Sequence, residues 1–147
     1  MKRFITYLMS AMMLFSLASC YKSDRIFEET AAQRTQERVE LCRNALVARE
    51  TWVMEYFPDE DLRYGGWIYV LQFSPDYTVK VWFEGAGFIP QTDPVTESEY
   101  KVEMSTGPML KFSTNNDYIH FFSFPGGPNG GGYRGWGGDH EFTIMSV

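Results

Sequence analysis

Cys20 is the first residue of the chain whose type and setting could do chemistry. It closes the run LASC (17–20), with the small residues Ala18 and Ser19 directly before it. Upstream stand two cations, Lys2 and Arg3, and an apolar run over 4–17. That run is shorter than the roughly 20 apolar residues of a spanning helix, so it reads as the core of a secretory leader. Small side chains let the backbone lie extended in a peptidase, and the thiol is a nucleophile able to accept a diacylglyceryl group. The expectation is a leader over 1–19, cleavage before Cys20, and lipid on its sulfur. An ordinary secretory leader or an N-terminal anchor is the alternative; charge, length, small residues and cysteine in one register favour lipidation. Each buried acyl methylene contributes about 0.8 kcal/mol, so a lipidated domain is held on a bilayer through its chains.

A second stretch invites chemistry. GGPNGGGYRGWGGDHEF (126–142) puts eight glycines into its first thirteen residues. A phosphate cradle would need a Lys and a Ser or Thr opening a helix. The loop has no Lys, and HEFTIMSV after it reads as a strand. Glycine here more simply supplies positive φ and close backbone approach, with Asp139 making a turn. Tyr133 and Trp136, held in such backbone, could still fold over a ligand; structural connection is the favoured reading. Tyr133, Trp136 and Asp139 are therefore ligand candidates of the second rank.

Other chemistries have less behind them. Two histidines, His120 and His140, do not fill a zinc site without carboxylates at a recognisable spacing. Asp139 and Glu141 match no known calcium loop. No metal and no cofactor is expected. There is no G-x-S-x-G, and Cys42 has no evident His partner, so no catalytic residue is assigned and the chain is not read as an enzyme. Cys42 sits at helical spacing from Val39 and Leu46, the setting of a buried thiol. Trp82 alternates with Lys80 and Glu84 on a strand's outer face, where it could stack on a sugar or a protein, or cover an apolar helix stripe; the helix is the favoured neighbour.

The elements that position these residues follow from periodicity. Ser23 or Asp24 can cap a helix over 26–49, on which Ala31, Thr35, Val39, Cys42 and Leu46 form a narrow apolar stripe. Residues 20–25 are then a short tether. From Thr51 the period becomes two. TWVMEYFP puts Trp52, Met54 and Tyr56 on one side, and WIYVLQF puts Trp67, Tyr69, Leu71 and Phe73 on one face. VKVWFE, SEYKVEMS, MLKFST, YIHFFSF and HEFTIMSV complete about seven strands joined by short turns. The fold class is mainly β with one N-terminal helix: a single domain over 26–147, an antiparallel meander forming a curved sheet or a lipocalin-like barrel. Its apolar last strand leaves an edge, so the meander is either completed by an oligomer or is the N-terminal part of something longer.

Composition narrows the partners. Loss of Lys2 and Arg3 with the leader takes the formal charge from −6 to −8. An acidic chain with no basic cluster argues against nucleic acid and against docking on anionic lipid by charge. With Cys20 lipidated, Cys42 is the one thiol left, and no internal disulfide can form.

The blocks IFEETAAQR, WVMEYFP, GGWIYVLQFSPDYTVKV, SEYKV, GPMLKFST, YIHFFSFP and GWGGDHEFTI, in this order, resemble a lipoprotein family of unknown function from Bacteroidetes-type gut bacteria. GGDHEF (137–142) is the most specific block. The resemblance implies a lipobox, a cell-envelope location with the outer membrane foremost, and an accessory role beside nutrient-uptake systems. It implies no activity and no catalytic residue. Glu50 and Thr51 precede Trp52 where the family more often has glycine, and relatives usually continue beyond this length. Two functions are thus expected: a membrane-anchored binding or accessory module meeting an outer-membrane uptake complex or a glycan, or a lipocalin-like carrier of a small apolar ligand.

Overall fold

The computed structural model describes residues 29–86, 89, 93–125 and 135–147. The leader, Cys20, the tether and Tyr133 lie outside them. The compact unit described is Ala31–Val147.

Helix α1 is Ala31–Val47, shorter than the 26–49 expectation. Its C-terminal end is set by the residue that opens the next element. The Trp52 indole N–H donates to the Leu46 carbonyl at 2.8 Å, supplying a partner to one of the carbonyls a helix end leaves open. Of the expected stripe, Cys42 and Leu46 are buried and Val39 packs against the core, but Ala31 and Thr35 are exposed. The first turns, AAQRTQE (31–37), are exposed and carry no large apolar side chain to bury.

Six strands follow: β1 (Trp52–Tyr56), β2 (Trp67–Phe73), β3 (Thr78–Phe83), β4 (Thr96–Met104), β5 (Pro108–Phe112) and β6 (Glu141–Thr143). They form one antiparallel sheet in the order β1-β2-β3-β4-β5-β6, curled into a half-barrel. Every strand hydrogen-bonds to its neighbour in sequence; short turns over 74–77 and 105–107 require this for β2–β3 and β4–β5. The register places Leu71 beside Val81 and Tyr100 beside Phe112, so the apolar positions of successive strands share one face.

That face is the core. Tyr69, Leu71, Phe73, Val79, Val81, Phe83, Tyr100, Val102, Leu110 and Phe112 are all buried. The rings interlock: Tyr69 stacks on Phe83 at 4.5 Å, and Phe73 meets Tyr100 edge-on at 4.9 Å, the offset and T-shaped arrangements that aromatic quadrupoles favour. Cys42 and Leu46 belong to this same cluster. The helix therefore covers the inner face, chiefly at β4. Trp82 alternates with Val81 and Phe83 and points to the other side. The favoured pairing of Trp82 with the helix stripe is thus corrected: the inner residues of β2–β5 were apolar enough to take the helix, and the outer face kept its charges.

YIHFFSF is not a strand. Residues 117–123 form successive turns organised by Asn116, which is 1% exposed. Its side-chain oxygen accepts from the Tyr118 and Ile119 amides at 3.1 and 3.2 Å and from the Thr96 hydroxyl at 2.8 Å. Its amide donates to the Ser98 hydroxyl at 3.1 Å, and its carbonyl accepts from the His120 amide at 2.9 Å. An Asn that captures following amides offers the backbone an alternative to a sheet ladder. Tyr118, Ile119 and Phe122 are buried in consequence, a spacing of turns rather than of strands. Among the described residues six strands stand where about seven were expected. No helix among the described residues is long and apolar enough to cross a membrane.

Candidate functional site

Three separate regions hold the residues of interest. The first is the seam where β1 approaches the segment before β6. There Tyr56 accepts a hydrogen bond from the Asp139 amide at 2.7 Å and donates to its carbonyl at 3.0 Å. The Asp139 carboxylate accepts from the His140 and Glu141 amides at 2.7 and 3.1 Å, so it folds the turn onto itself, as an Asx-type turn residue does. Gly137 has φ +85°, and a Cβ at Gly138 would fall on the Tyr56 hydroxyl and on Phe122. Within 135–140 the glycines thus serve close approach, which only that residue permits. Burial, opposed by the Asp139 backbone hydrogen bond, pushes the Tyr56 phenol up to about 12; it keeps its proton and stays a donor throughout the neutral range.

Trp136 belongs to the same seam. Its ring lies 4.3 Å from Tyr64 and 5.9 Å from Phe122, and its indole N–H is buried with no partner among the described residues. It packs the seam shut instead of standing over open space. His120 and His140 lie ring to ring at 4.7 Å, a pair brought together by the Asn116 turns and invisible to spacing. Among the described residues no three His, Cys, Asp or Glu side chains gather as a metal site would require.

The second region is the outer face of the sheet. Trp82 pairs with Val70, which pairs with Val53. This makes a short apolar row across three strands, flanked by Lys80 and Glu84. Trp82 and Asp139 are on different regions of the fold, so the candidates read from sequence do not assemble into one site; Cys20 and Tyr133 lie outside the described residues.

The third region was missed by sequence reasoning. A solvent-open groove of about 390 Å³ lies between α1 and the turn joining β2 to β3, lined from the helix by Gln36, Val39, Glu40, Arg43 and Asn44 and from the sheet by Tyr77 and Val102. The turn is built by Asp76, whose carboxylate accepts from the Thr78 amide and hydroxyl at 3.2 and 2.8 Å; those bonds, the hydroxyl first, hold its pKa below the usual carboxylate value. Tyr77 consequently takes φ +68°, a left-handed conformation that a side chain adopts only under constraint. Arg43 donates to the Pro75 carbonyl and sets its guanidinium 4.3 Å over the Tyr77 ring, a cation–π contact. Along the helix, Gln36 donates to Glu40 at 2.9 Å. The one advance signal was SPDYT, where a tyrosine stands at a turn position that favours glycine.

The family model described as a domain of unknown function, DUF4302, matches residues 23–147. The chain belongs to the DUF4302 family. No curated protein and no solved structure matches it. The DUF4302 match spans α1, all six strands and the groove between them.

Proposed function

We propose that this DUF4302 chain is a lipid-anchored bacterial envelope module that binds on its outer surfaces and assists nutrient uptake. The supporting observation is where polar chemistry lies. The inner face of the sheet is packed with interlocking rings, whereas the polar, solvent-open groove sits outside the core, between α1 and Tyr77. Packing of that kind favours an outward-facing binder over a carrier with an apolar ligand held inside the curl. The run LASC at 17–20 supplies the anchor, and lipid on Cys20 would hold the domain at the membrane by the transfer energy of its acyl chains.

Two measurements test this reading. Cells expressing the full chain are labelled with radioactive palmitate; the wild-type product takes up label and partitions with membranes, and Cys20→Ser does neither. Solubilised membranes are then passed over the tagged protein, which retains an uptake component or a glycan, less so in a Trp82→Ala form if the outer row contributes. An unlabelled wild-type protein ends the anchored reading. Empty eluates from both forms end the accessory one.

A further inference from the structure

We propose that the groove between α1 and the β2–β3 turn binds the ring of a neutral carbohydrate. This names a ligand class for the outward-facing binder above and rests on that reading.

The polar wall comes first. Gln36, Glu40 and Asn44 stand four residues apart, so one helix ridge carries amide, carboxylate and amide in a row. Amides both donate and accept, the carboxylate accepts, and the Arg43 guanidinium donates. A hydroxyl both donates and accepts, so a row of hydroxyls along a ring edge matches such a wall. An apolar ligand would instead strip water from these groups and leave them unpaired. Glu40 and Arg43 cancel in charge, and an anion entering the groove would meet the Glu40 carboxylate. Neutral and hydroxyl-rich is the class that remains.

The apolar wall agrees. Val39 and Val102 line the groove beside the polar residues, and Tyr77, a half-exposed residue, lines it from the turn. A sugar ring has C–H faces as well as hydroxyl edges, and an aromatic side chain with a wet tip suits that mixture. Tyr77 is locked in place from both ends: its amide donates to Ser74 at 3.2 Å, its carbonyl accepts from Tyr100 at 2.9 Å, and Arg43 lies over its ring. The backbone cost of φ +68° is offset by the ring's contacts with Arg43 and Tyr100, which hold the ring at a fixed angle beside the polar wall. The volume, about 390 Å³, sits near the lower end of the roughly 300–1,000 Å³ of small-ligand sites, room for about one or two sugar rings.

The test uses the full chain in a detergent without a sugar headgroup. Maltoheptaose, laminarihexaose, mannohexaose and xylohexaose are titrated by calorimetry and by saturation-transfer NMR, with polygalacturonate as the anionic comparator. At least one neutral oligosaccharide binds, and Asn44→Ala weakens it about tenfold or more. Tyr77→Gly does the same; glycine takes φ +68° without strain, which offsets part of the loss of the Arg43 and Tyr100 ring contacts, and circular dichroism checks that the fold is kept. Silence across the neutral panel overturns the inference. So does binding of polygalacturonate alone, or neutral-sugar binding that survives both Asn44→Ala and Tyr77→Gly. Sugar binding by a protein that takes no palmitate would remove the anchored reading and leave the groove; a palmitate-labelled protein deaf to the panel would do the reverse.

Discussion

The Tyr56 hydroxyl and the Asp139 main chain exchange two hydrogen bonds, 2.7 and 3.0 Å long, across 83 residues of sequence. Tyr56 closes β1 and Asp139 stands two residues before β6, so this single side chain links the two ends of a six-strand sheet. The pair is part-buried, and both main-chain groups depend on the one phenol.

Tyr56→Phe removes both bonds and keeps the ring against Tyr69 and Phe142. The loss should be about 1–2 kcal/mol, since two part-buried hydrogen bonds are removed and water replaces them only in part. Thermal unfolding followed by circular dichroism reads it as a drop of roughly 4–8 °C per kcal/mol for a domain of this order of size. An unchanged midpoint would mean that water replaces the hydroxyl freely.

Gly138→Ala should destabilise by about 1–3 kcal/mol, because the added methyl falls on the Tyr56 hydroxyl and Phe122. In the Tyr56→Phe background the same change should cost less, as the nearest obstructing atom is gone. A double-mutant cycle measures that coupling, and strict additivity would contradict the contact.

Asn116→Ala should cost at least about 2 kcal/mol. It strands the buried Tyr118 and Ile119 amides and breaks the link to Ser98. Urea unfolding reads the loss as a lower midpoint with little change in slope.

Acid should weaken the fold before the carboxylates titrate. Burial foremost, and secondarily the neighbouring His140, hold His120 below its ordinary value of 6.5, against the Asn116 hydrogen bond and Asp117, which pull it upward. The folded protein therefore resists taking a proton that the unfolded chain accepts. The stability at stake is fully present above 6.5 and is lost as pH falls through the depressed folded value. Asp59, Asp76 and Glu103 carry the same sign at lower pH, because their carboxylates are also held below their usual values. Melting temperatures at pH 7, 6 and 5 should fall in the wild type and fall less in His120→Gln; parallel curves would remove His120 as the cause.

Much of this fold is written in alternation. Val79, Val81 and Phe83 against Lys80, Trp82 and Glu84 specify a strand with one dry face, and the structure has that strand with that face. YIHFFSF shows where period-two reading fails. It is so rich in apolar residues that Tyr118, His120 and Phe122 line up as readily as Tyr118, Ile119 and Phe122, and Asn116 decides between them by hydrogen bonds to the backbone. The side of the sheet taken by the helix was equally hidden, since a stripe of Val39, Cys42 and Leu46 says that something is covered but not what. The groove was beyond reach for a different reason. Arg43 and the β2–β3 turn are 32 residues apart, and neither Gln36 nor Asn44 stands out until Tyr77 is placed opposite them.

The sequential strand order carries a kinetic consequence. From β1 to β5 every pairing is between sequence neighbours, closed tightly over 74–77 and 105–107 and by longer connections over 57–66 and 84–95, so each step carries a modest entropic cost. The bridge from Tyr56 to the 135–140 turn is the exception, because it ties residues from opposite ends of the sheet. It should form last and open first. Native-state hydrogen exchange should then show the amides of 138–143 exchanging through a partial opening, while those of β2 and β3 wait for complete unfolding.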